Sequence, residues 1–166
     1  AHQVEGLTWL QSASSAGAGA ILADDMGLGK TLQCLTFLAA RREARRSDGS
    51  RPSLIVAPTA LIENWKSEID RHFKGGAFGQ IGEVVGRSLK YLKVDVGVRG
   101  RDIDLGRATL DAALLAELGI VLTTYETLRD YHMSFARVPF DVVVFDEAQK
   151  TKNPTSQLTR AAKTLN

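Results

Sequence analysis

Short apolar runs alternate with segments of helical periodicity along most of this chain. The apolar runs predict strands at 20–23, Ser53–Ala57, 80–85, Ile120–Thr124 and Val142–Phe145. Apolar residues that recur every three or four positions predict helices over 31–44, 61–73, 109–118 and 158–165. Continuous apolar strands that alternate with helices are typical of a mostly parallel sheet with helices on both faces. We therefore predict an α/β fold.

Two other patterns refine this prediction. Val94, Val96 and Val98 alternate with polar residues, which predicts an edge strand or a hairpin between residues 86 and 105. Trp9 and Trp65 lie on apolar helical stripes, and we predict that both pack in the core.

Composition narrows the class of protein. The chain has 166 residues, of which 44% are hydrophobic and 24% charged, and its net charge is +2. These values are typical of one globular domain. The single Cys34 excludes an internal disulfide and a multi-cysteine metal site. No apolar run approaches the roughly 20 residues that cross a bilayer, and residues 1–20 lack the pattern of a signal peptide. We therefore expect no membrane partner.

The stretch LADDMGLGKTLQ, residues 22–33, is a candidate phosphate-binding loop. Gly27 and Gly29 would let backbone N–H groups approach phosphate oxygens at the start of a helix. Lys30 would reach the terminal phosphates of ATP, and the Thr31 hydroxyl would bind Mg²⁺. The general pattern, however, has glycine where this chain has Asp24, so the loop alone does not decide between a nucleotide site and a glycine-rich turn.

An acidic pair supplies the second half of a nucleotide-hydrolysing site. Asp146 and Glu147 follow the apolar run Val142–Phe145 directly. Hydrolysis of a nucleoside triphosphate needs one carboxylate that holds Mg²⁺ and one group that orients the attacking water. Asp146 suits the first role and Glu147 the second, whereas the simpler alternative is that both cap a turn.

Five stretches, in order, resemble the first RecA-like lobe of superfamily-two helicases and, more closely, the SWI/SNF family of DNA-dependent ATPases. They are HQVEGLTWL, ADDMGLGKTLQ, LIVAPTALIENWKSEI, VLTTYETLR and DEAQKTKNP, which begin at residues 2, 23, 54, 121 and 146. The resemblance implies a RecA-like P-loop NTPase fold. It also accounts for Asp24, because this family carries aspartate at that position.

The resemblance assigns further roles in the nucleotide site. Gln3 would contact the adenine, and Gln149 would sense the γ-phosphate. ATP and Mg²⁺ would be bound by a set that follows the family's loop and box: Asp24, Gly27, Leu28, Gly29, Lys30, Thr31 and Asp146.

The resemblance also implies a DNA-binding surface. The turn Pro58, Thr59, Ala60 and the pair Thr123, Thr124 would face the backbone of double-stranded DNA. Backbone N–H groups and small hydroxyls suit phosphate oxygens, and such contacts permit movement without sequence choice.

We expect residues 1–166 to be the N-terminal lobe of a longer protein whose second RecA-like lobe is absent from this sequence. That lobe would supply the arginines that reach the γ-phosphate, so we expect the fragment alone to be poorly active. Its partners would be double-stranded DNA, the second lobe and a possible protein substrate on DNA. We expect a bacterial protein of the cytoplasm and nucleoid, or a nuclear one in a eukaryote.

Two other functions remain open on sequence grounds. The same lobe would serve a strand-separating helicase or a restriction-type translocase. A degenerate lobe could instead be a non-catalytic binding module, although Lys30, Asp146 and Glu147 are all intact.

Overall fold

A computed structural model of the chain describes residues 2–23, 27–73, 75–94, 109–151 and 157–165. The chain divides into two compact units. Unit 1 contains Ala1–Ser50 and Trp65–Ala77, and unit 2 contains Arg51–Asn64 and Phe78–Asn166.

Unit 1 is helical in the part of the chain that the structure describes. Its helices are α1 (His2–Ser15), α2 (Lys30–Ala44) and the C-terminal part of α3 (Thr59–His72). Helix α2 buries Leu35 and Leu38 and ends near Arg41 and Arg42, whose charges suit the negative end of a helix dipole. Arg41 also donates a hydrogen bond to the Ser14 hydroxyl of α1, so the two helices are joined at this end.

Unit 2 is built on a parallel sheet of four strands. They are β1 (Ser53–Ala57), β2 (Ile81–Val84), β5 (Ile120–Thr124) and β6 (Val142–Phe145), in the order β2-β5-β1-β6. All three pairings are parallel, and Ala57 lies beside Thr124 while Val56 lies beside Phe145. The carboxyl ends of β1, β5 and β6 therefore meet at one edge of the sheet.

Short elements complete unit 2. They are α4 (Leu89–Leu92), β3 (Lys93–Val94), β4 (Thr109–Leu110), α5 (Ala112–Ala116), α6 (Tyr125–Asp130), α7 (His132–Phe135) and α8 (Gln157–Lys163). Strands β3 and β4 pair antiparallel as a separate small sheet.

One face of the main sheet carries the core of unit 2. Leu54, Val56 and Val121 pack there against residues of α5, α6, α7 and α8, which include Leu115, Leu128, Phe135 and Ala161. The alternate residues of the central strands, among them Ile55 and Leu122, are also fully buried. The central strands are thus buried on both sides, as their continuous apolar sequences predict.

The α/β prediction is confirmed, and so are three of its strands at their predicted bounds. Strand β2 is two residues shorter than the predicted 80–85, and helices α2 and α3 begin one and two residues earlier than predicted.

The predicted strand at 20–23 is wrong. The structure gives these residues no regular structure, and Ile21 is 81% exposed. Two of the four residues are alanine, which forms strands poorly, and a four-residue apolar run is a weak signal by itself. The phosphate loop therefore precedes a helix, as expected, but does not follow a strand.

Two smaller predictions also change. The helix expected to start at Thr109 begins at Ala112, because Asp111 caps it by accepting hydrogen bonds from the N–H groups of Ala113 and Leu114. Residues 109 and 110 instead form β4, which pairs with Lys93–Val94, and the rest of the expected edge strand lies outside the described residues.

The two tryptophans differ. Trp65 is 2% exposed, which confirms core packing, whereas Trp9 is 46% exposed and its predicted core role is wrong. Helix α1 buries only Leu10, so most of its apolar stripe is exposed.

Across the described residues, no helix has the length and apolar character that a bilayer crossing requires.

Candidate nucleotide and DNA site

The phosphate loop of unit 1 has the backbone that anion binding needs. Gly27 and Gly29 have φ angles of 86° and 76°, a left-handed conformation that side chains disfavour. Gly29 is the residue before the first turn of α2, and Lys30 is the first residue of that helix. The first turn of α2 thus follows the two glycines directly, and the N–H groups at the start of a helix suit a phosphate. Thr31 is half-buried in this turn, and Asp24 lies outside the described residues.

A cleft of about 310 Å³ adjoins this loop, lined by His2, Gln3, Gly27 and Leu28. The amide of Gln3 lies against the loop, because a Cβ atom placed on Gly29 would come within 2.7 Å of the Gln3 Nε2 atom. Gln3 and Leu28 are exposed and so accessible to a ligand. The structure thus brings Gln3, Leu28 and the loop glycines together, as a nucleotide that spans adenine and phosphate contacts would require.

Gln33 is a residue of this region to which sequence reasoning gave no role. Its side chain is buried, and its Nε2 atom donates a hydrogen bond of 3.2 Å to the Leu28 carbonyl. Its Oε1 atom is buried without a hydrogen-bond partner among the described residues. A Cβ atom on Gly6 would lie only 2.0 Å from this Oε1 atom. The Gln33 side chain therefore lies between the loop and α1. The sequence signal that could have indicated its role is the glutamine at the end of the loop motif.

The acidic pair stands at the carboxyl end of β6 in unit 2. The Asp146 N–H donates a hydrogen bond of 2.9 Å to the Val56 carbonyl, so the chain is still held to β1 at this point. Asp146 is half-buried, whereas Glu147 and Gln149 are exposed. The Gln149 amide donates a hydrogen bond to the Glu147 carboxylate.

The backbone of Glu147 is unusual. Its φ angle is 57°, and it is the one non-glycine residue with positive φ among the described residues. A side chain in this conformation costs roughly 1–2 kcal/mol. Strain of this kind persists only where the surrounding structure enforces it, and it is frequent at functional sites.

Tyr125, the first residue of α6, reaches the acidic pair. Its hydroxyl donates a hydrogen bond of 2.6 Å to the Asp146 carbonyl. Burial, reinforced by the negative charges of Asp146 and Glu147, raises the pKa of the Tyr125 hydroxyl well above its ordinary value. A tyrosine hydroxyl is protonated at neutral pH, and the raised pKa keeps this one a hydrogen-bond donor at higher pH as well.

The turn after β1 opens beside the acidic pair. Pro58 is half-buried, while Thr59 and Ala60 are exposed at the N-terminus of α3. The first N–H groups of a helix are available to phosphate oxygens. Since Val56 pairs with Phe145, this turn and Asp146 lie on the same edge of the sheet.

Thr123 and Thr124 are buried, with exposed fractions of 0% and 5%. The Thr123 hydroxyl donates to the Val84 carbonyl, and the Thr124 hydroxyl accepts from the Thr127 N–H to cap α6. Both hydroxyls therefore serve the fold, and a phosphate would have to displace these partners to reach them. Their DNA role stays a prediction.

The candidate Mg²⁺ ligands are side-chain oxygen atoms, which suit an ion that binds together with a nucleotide. Among the described residues, no cluster of three or more His, Cys, Asp or Glu side chains could hold a metal by itself. Mg²⁺ is usually bound by one or two protein oxygens together with substrate phosphates and water. The Thr31 hydroxyl in unit 1 and the Asp146 carboxylate in unit 2 are each an oxygen ligand of the kind that Mg²⁺ prefers.

Comparison with known proteins agrees with these features. The model of the SNF2-related domain family matches residues 2–166. The Zorya protein ZorD of Escherichia coli O139:H28 is 42% identical over 97% of the chain. The chromatin-remodeling ATPase INO80 of Arabidopsis thaliana is 34% identical over 93%. The chain spans 15% of the length of the first relative and 9% of the second.

A solved structure gives the same result for the fold. The Sulfolobus solfataricus SWI2/SNF2 ATPase core in complex with dsDNA matches 99% of the chain with a TM-score of 0.74 and 27% identity. The match covers 29% of that structure's chain. The RecA-like fold predicted from the sequence is thereby confirmed.

Proposed function

Because the chain belongs to the SNF2-related domain family, we propose that it is the ATP-binding lobe of an ATP-dependent double-stranded-DNA translocase. ATP hydrolysis would drive translocation along DNA or remodelling of proteins bound to it. One observation carries this proposal. The acidic pair Asp146 and Glu147, the left-handed backbone of Glu147 and the N-terminus of α3 all lie at the same edge of the sheet in unit 2.

The phosphate loop would bind the nucleotide through main-chain groups. Gly27 and Gly29 give its backbone N–H groups access to phosphate oxygens, and Lys30 pairs with the terminal phosphates. Gln3 lies beside the loop and would contact the adenine, while Leu28 lines the same cleft. Asp24 completes the loop in this proposal on the strength of the family resemblance.

The acidic pair and its neighbour would act on the reacting groups. Thr31 and Asp146 would hold Mg²⁺, which supplies charge neutralisation at the phosphates when bound. Glu147 would orient the attacking water, because its carboxylate is exposed beyond the strand end. Gln149 would sense the γ-phosphate through the hydrogen bond that its amide makes to Glu147.

The turn Pro58–Ala60 is the better supported of the two DNA contacts, because it is accessible and carries helix N–H groups. Contact with backbone phosphates gives affinity without reading bases, which a translocase requires. The hydroxyls of Thr123 and Thr124 would contact DNA only after giving up their present hydrogen bonds to the Val84 carbonyl and the Thr127 N–H.

The other catalytic groups of the proposed motor would come from outside this chain, which spans a small share of its relatives' length. A second RecA-like lobe would supply arginines that stabilise charge on the γ-phosphate, an effect worth orders of magnitude in rate. In bacteria such a protein would act in the cytoplasm on the nucleoid, and in eukaryotes it would act in the nucleus.

The test is the ATPase rate of the intact protein that carries this chain, with and without double-stranded DNA. We expect DNA to stimulate the rate, and we expect Lys30→Ala and Asp146→Asn each to abolish it. Lys163→Ala, in the exposed part of α8, is the matched control and should leave the rate unchanged. Equal ATPase rates for Lys30→Ala and the parent would refute the proposal. If the intact protein displaces strands but does not translocate on intact duplex, a helicase function is favoured instead.

A further inference from the structure

We propose that Tyr125 is a positioning residue, whose hydroxyl fixes the peptide between Asp146 and Glu147 and thereby aims the Glu147 carboxylate. This inference rests on the proposed function, since it concerns how the water-orienting group is held. Its basis is the 2.6 Å hydrogen bond from the Tyr125 hydroxyl to the Asp146 carbonyl.

The main chain of Asp146 is held on both sides. Its N–H donates to the Val56 carbonyl on β1, and its carbonyl accepts from Tyr125 beyond β5. The first contact is a ladder bond that any strand end would have, but the second is made by a side chain. It fixes the orientation of the peptide plane that leads into Glu147.

Glu147 needs such a constraint. Its φ of 57° lies in the left-handed region, which a glutamate leaves when nothing enforces it. A rotation of the preceding peptide would relieve the strain and would swing the carboxylate away. The Tyr125 hydrogen bond opposes that rotation at the carbonyl of the same peptide.

Tyr125 is itself rigidly placed. It is 2% exposed and is the first residue of α6, directly after the capping residue Thr124. Its ring stacks on Phe145, with ring centroids 6.3 Å apart and an interplanar angle of 24°. The hydroxyl is therefore a fixed donor, and the ring would keep its packing if only the oxygen were removed.

Tyr125→Phe in the intact protein, assayed at saturating DNA, tests the inference. We expect kcat to fall about five- to tenfold, the factor that corresponds to roughly one hydrogen bond. The KM for ATP and the affinity for a non-hydrolysable analogue should stay within about twofold, because the phosphate loop is untouched. Tyr131→Phe, at another buried tyrosine of unit 2, is the control and should keep the parent kcat. An unchanged kcat in Tyr125→Phe, or an equal fall in Tyr131→Phe, would overturn the inference.

A melting-temperature cycle gives a readout that does not depend on activity. Glu147→Gly should melt about 1–4 °C above Glu147→Ala, since glycine tolerates the left-handed backbone. In the presence of Tyr125→Phe this difference should shrink to less than half, because the peptide is then free to relax. An undiminished difference would contradict the positioning role.

The inference and the proposed function can fail separately. If Asp146→Asn hydrolyses ATP like the parent, the proposed function fails. If Asp146→Asn is inactive and Tyr125→Phe is fully active, only the positioning role of Tyr125 fails.

Discussion

Replacing Glu147 by glycine and, separately, by alanine separates the strain of its backbone from the loss of its carboxylate. Both variants remove the same charged group, so both should be inactive as ATPases. They differ in what they do at a φ angle of 57°. Alanine keeps the Cβ atom that disfavours this conformation, whereas glycine does not have it.

The expected difference follows from two opposing effects. A Cβ atom in the left-handed region costs about 1–2 kcal/mol, and this cost disappears with glycine. Glycine also gains freedom in the unfolded chain, which lowers the free energy of unfolding by about 0.4–1 kcal/mol. The net expectation is that Glu147→Gly is more stable than Glu147→Ala by roughly 0.5–1 kcal/mol.

Urea unfolding followed by circular dichroism measures this difference, provided that the two variants have equal m-values. Glu117 supplies the control, because it is exposed on the same unit and has a φ angle of −77°. There the order should reverse, and Glu117→Ala should be the more stable variant. If Glu147→Gly is no more stable than Glu147→Ala, the backbone at the acidic pair is not strained and the reasoning is refuted.

Two further predictions concern packing around the loop and the turn. Gly6→Ala should destabilise the protein by about 1–3 kcal/mol, because its Cβ would displace the buried Gln33 amide. With Gln33→Ala present, the same change should instead stabilise α1 by about 1 kcal/mol, and thermal melting that shows no change of sign would contradict the packing. Thr124→Ala should cost about 0.5–2 kcal/mol by uncapping α6. Thr124→Ser should restore most of this loss in the same melts, and no loss in either variant would argue against the cap.

The strands that could be predicted from sequence are those with a continuous run of apolar residues. Ser53–Ala57 has four consecutive apolar residues after its serine, and Ile120–Thr124 has three before its two threonines; their central position buries both faces. The run at 20–23 is shorter and rich in alanine, and the structure leaves it irregular. Periodicity alone could not separate these cases, because it does not report which segments find a pairing partner.

The candidate site divides in the same way. Lys30, Asp146 and Glu147 could be named from sequence because a charge after a glycine loop or an apolar strand is a local pattern. The roles of Gln33 and Tyr125 could not, since one depends on the packing of α1 on α2 and the other on sheet register. The burial of Thr123 likewise depends on the position of β5 inside the sheet, where the Val84 carbonyl of the neighbouring strand satisfies its hydroxyl.

The proposed function requires that Lys30 and Asp146 act on one magnesium–triphosphate, and a double-mutant cycle on MgATP binding tests this requirement most directly. The measurement compares Lys30→Ala, Asp146→Asn and the double variant in the intact protein by titration. If both groups bind one ligand, the double variant should lose less affinity than the sum of the single losses, with a coupling of about 1 kcal/mol or more. Losses that add to within about 0.5 kcal/mol would contradict the account, because independent sites behave in that way.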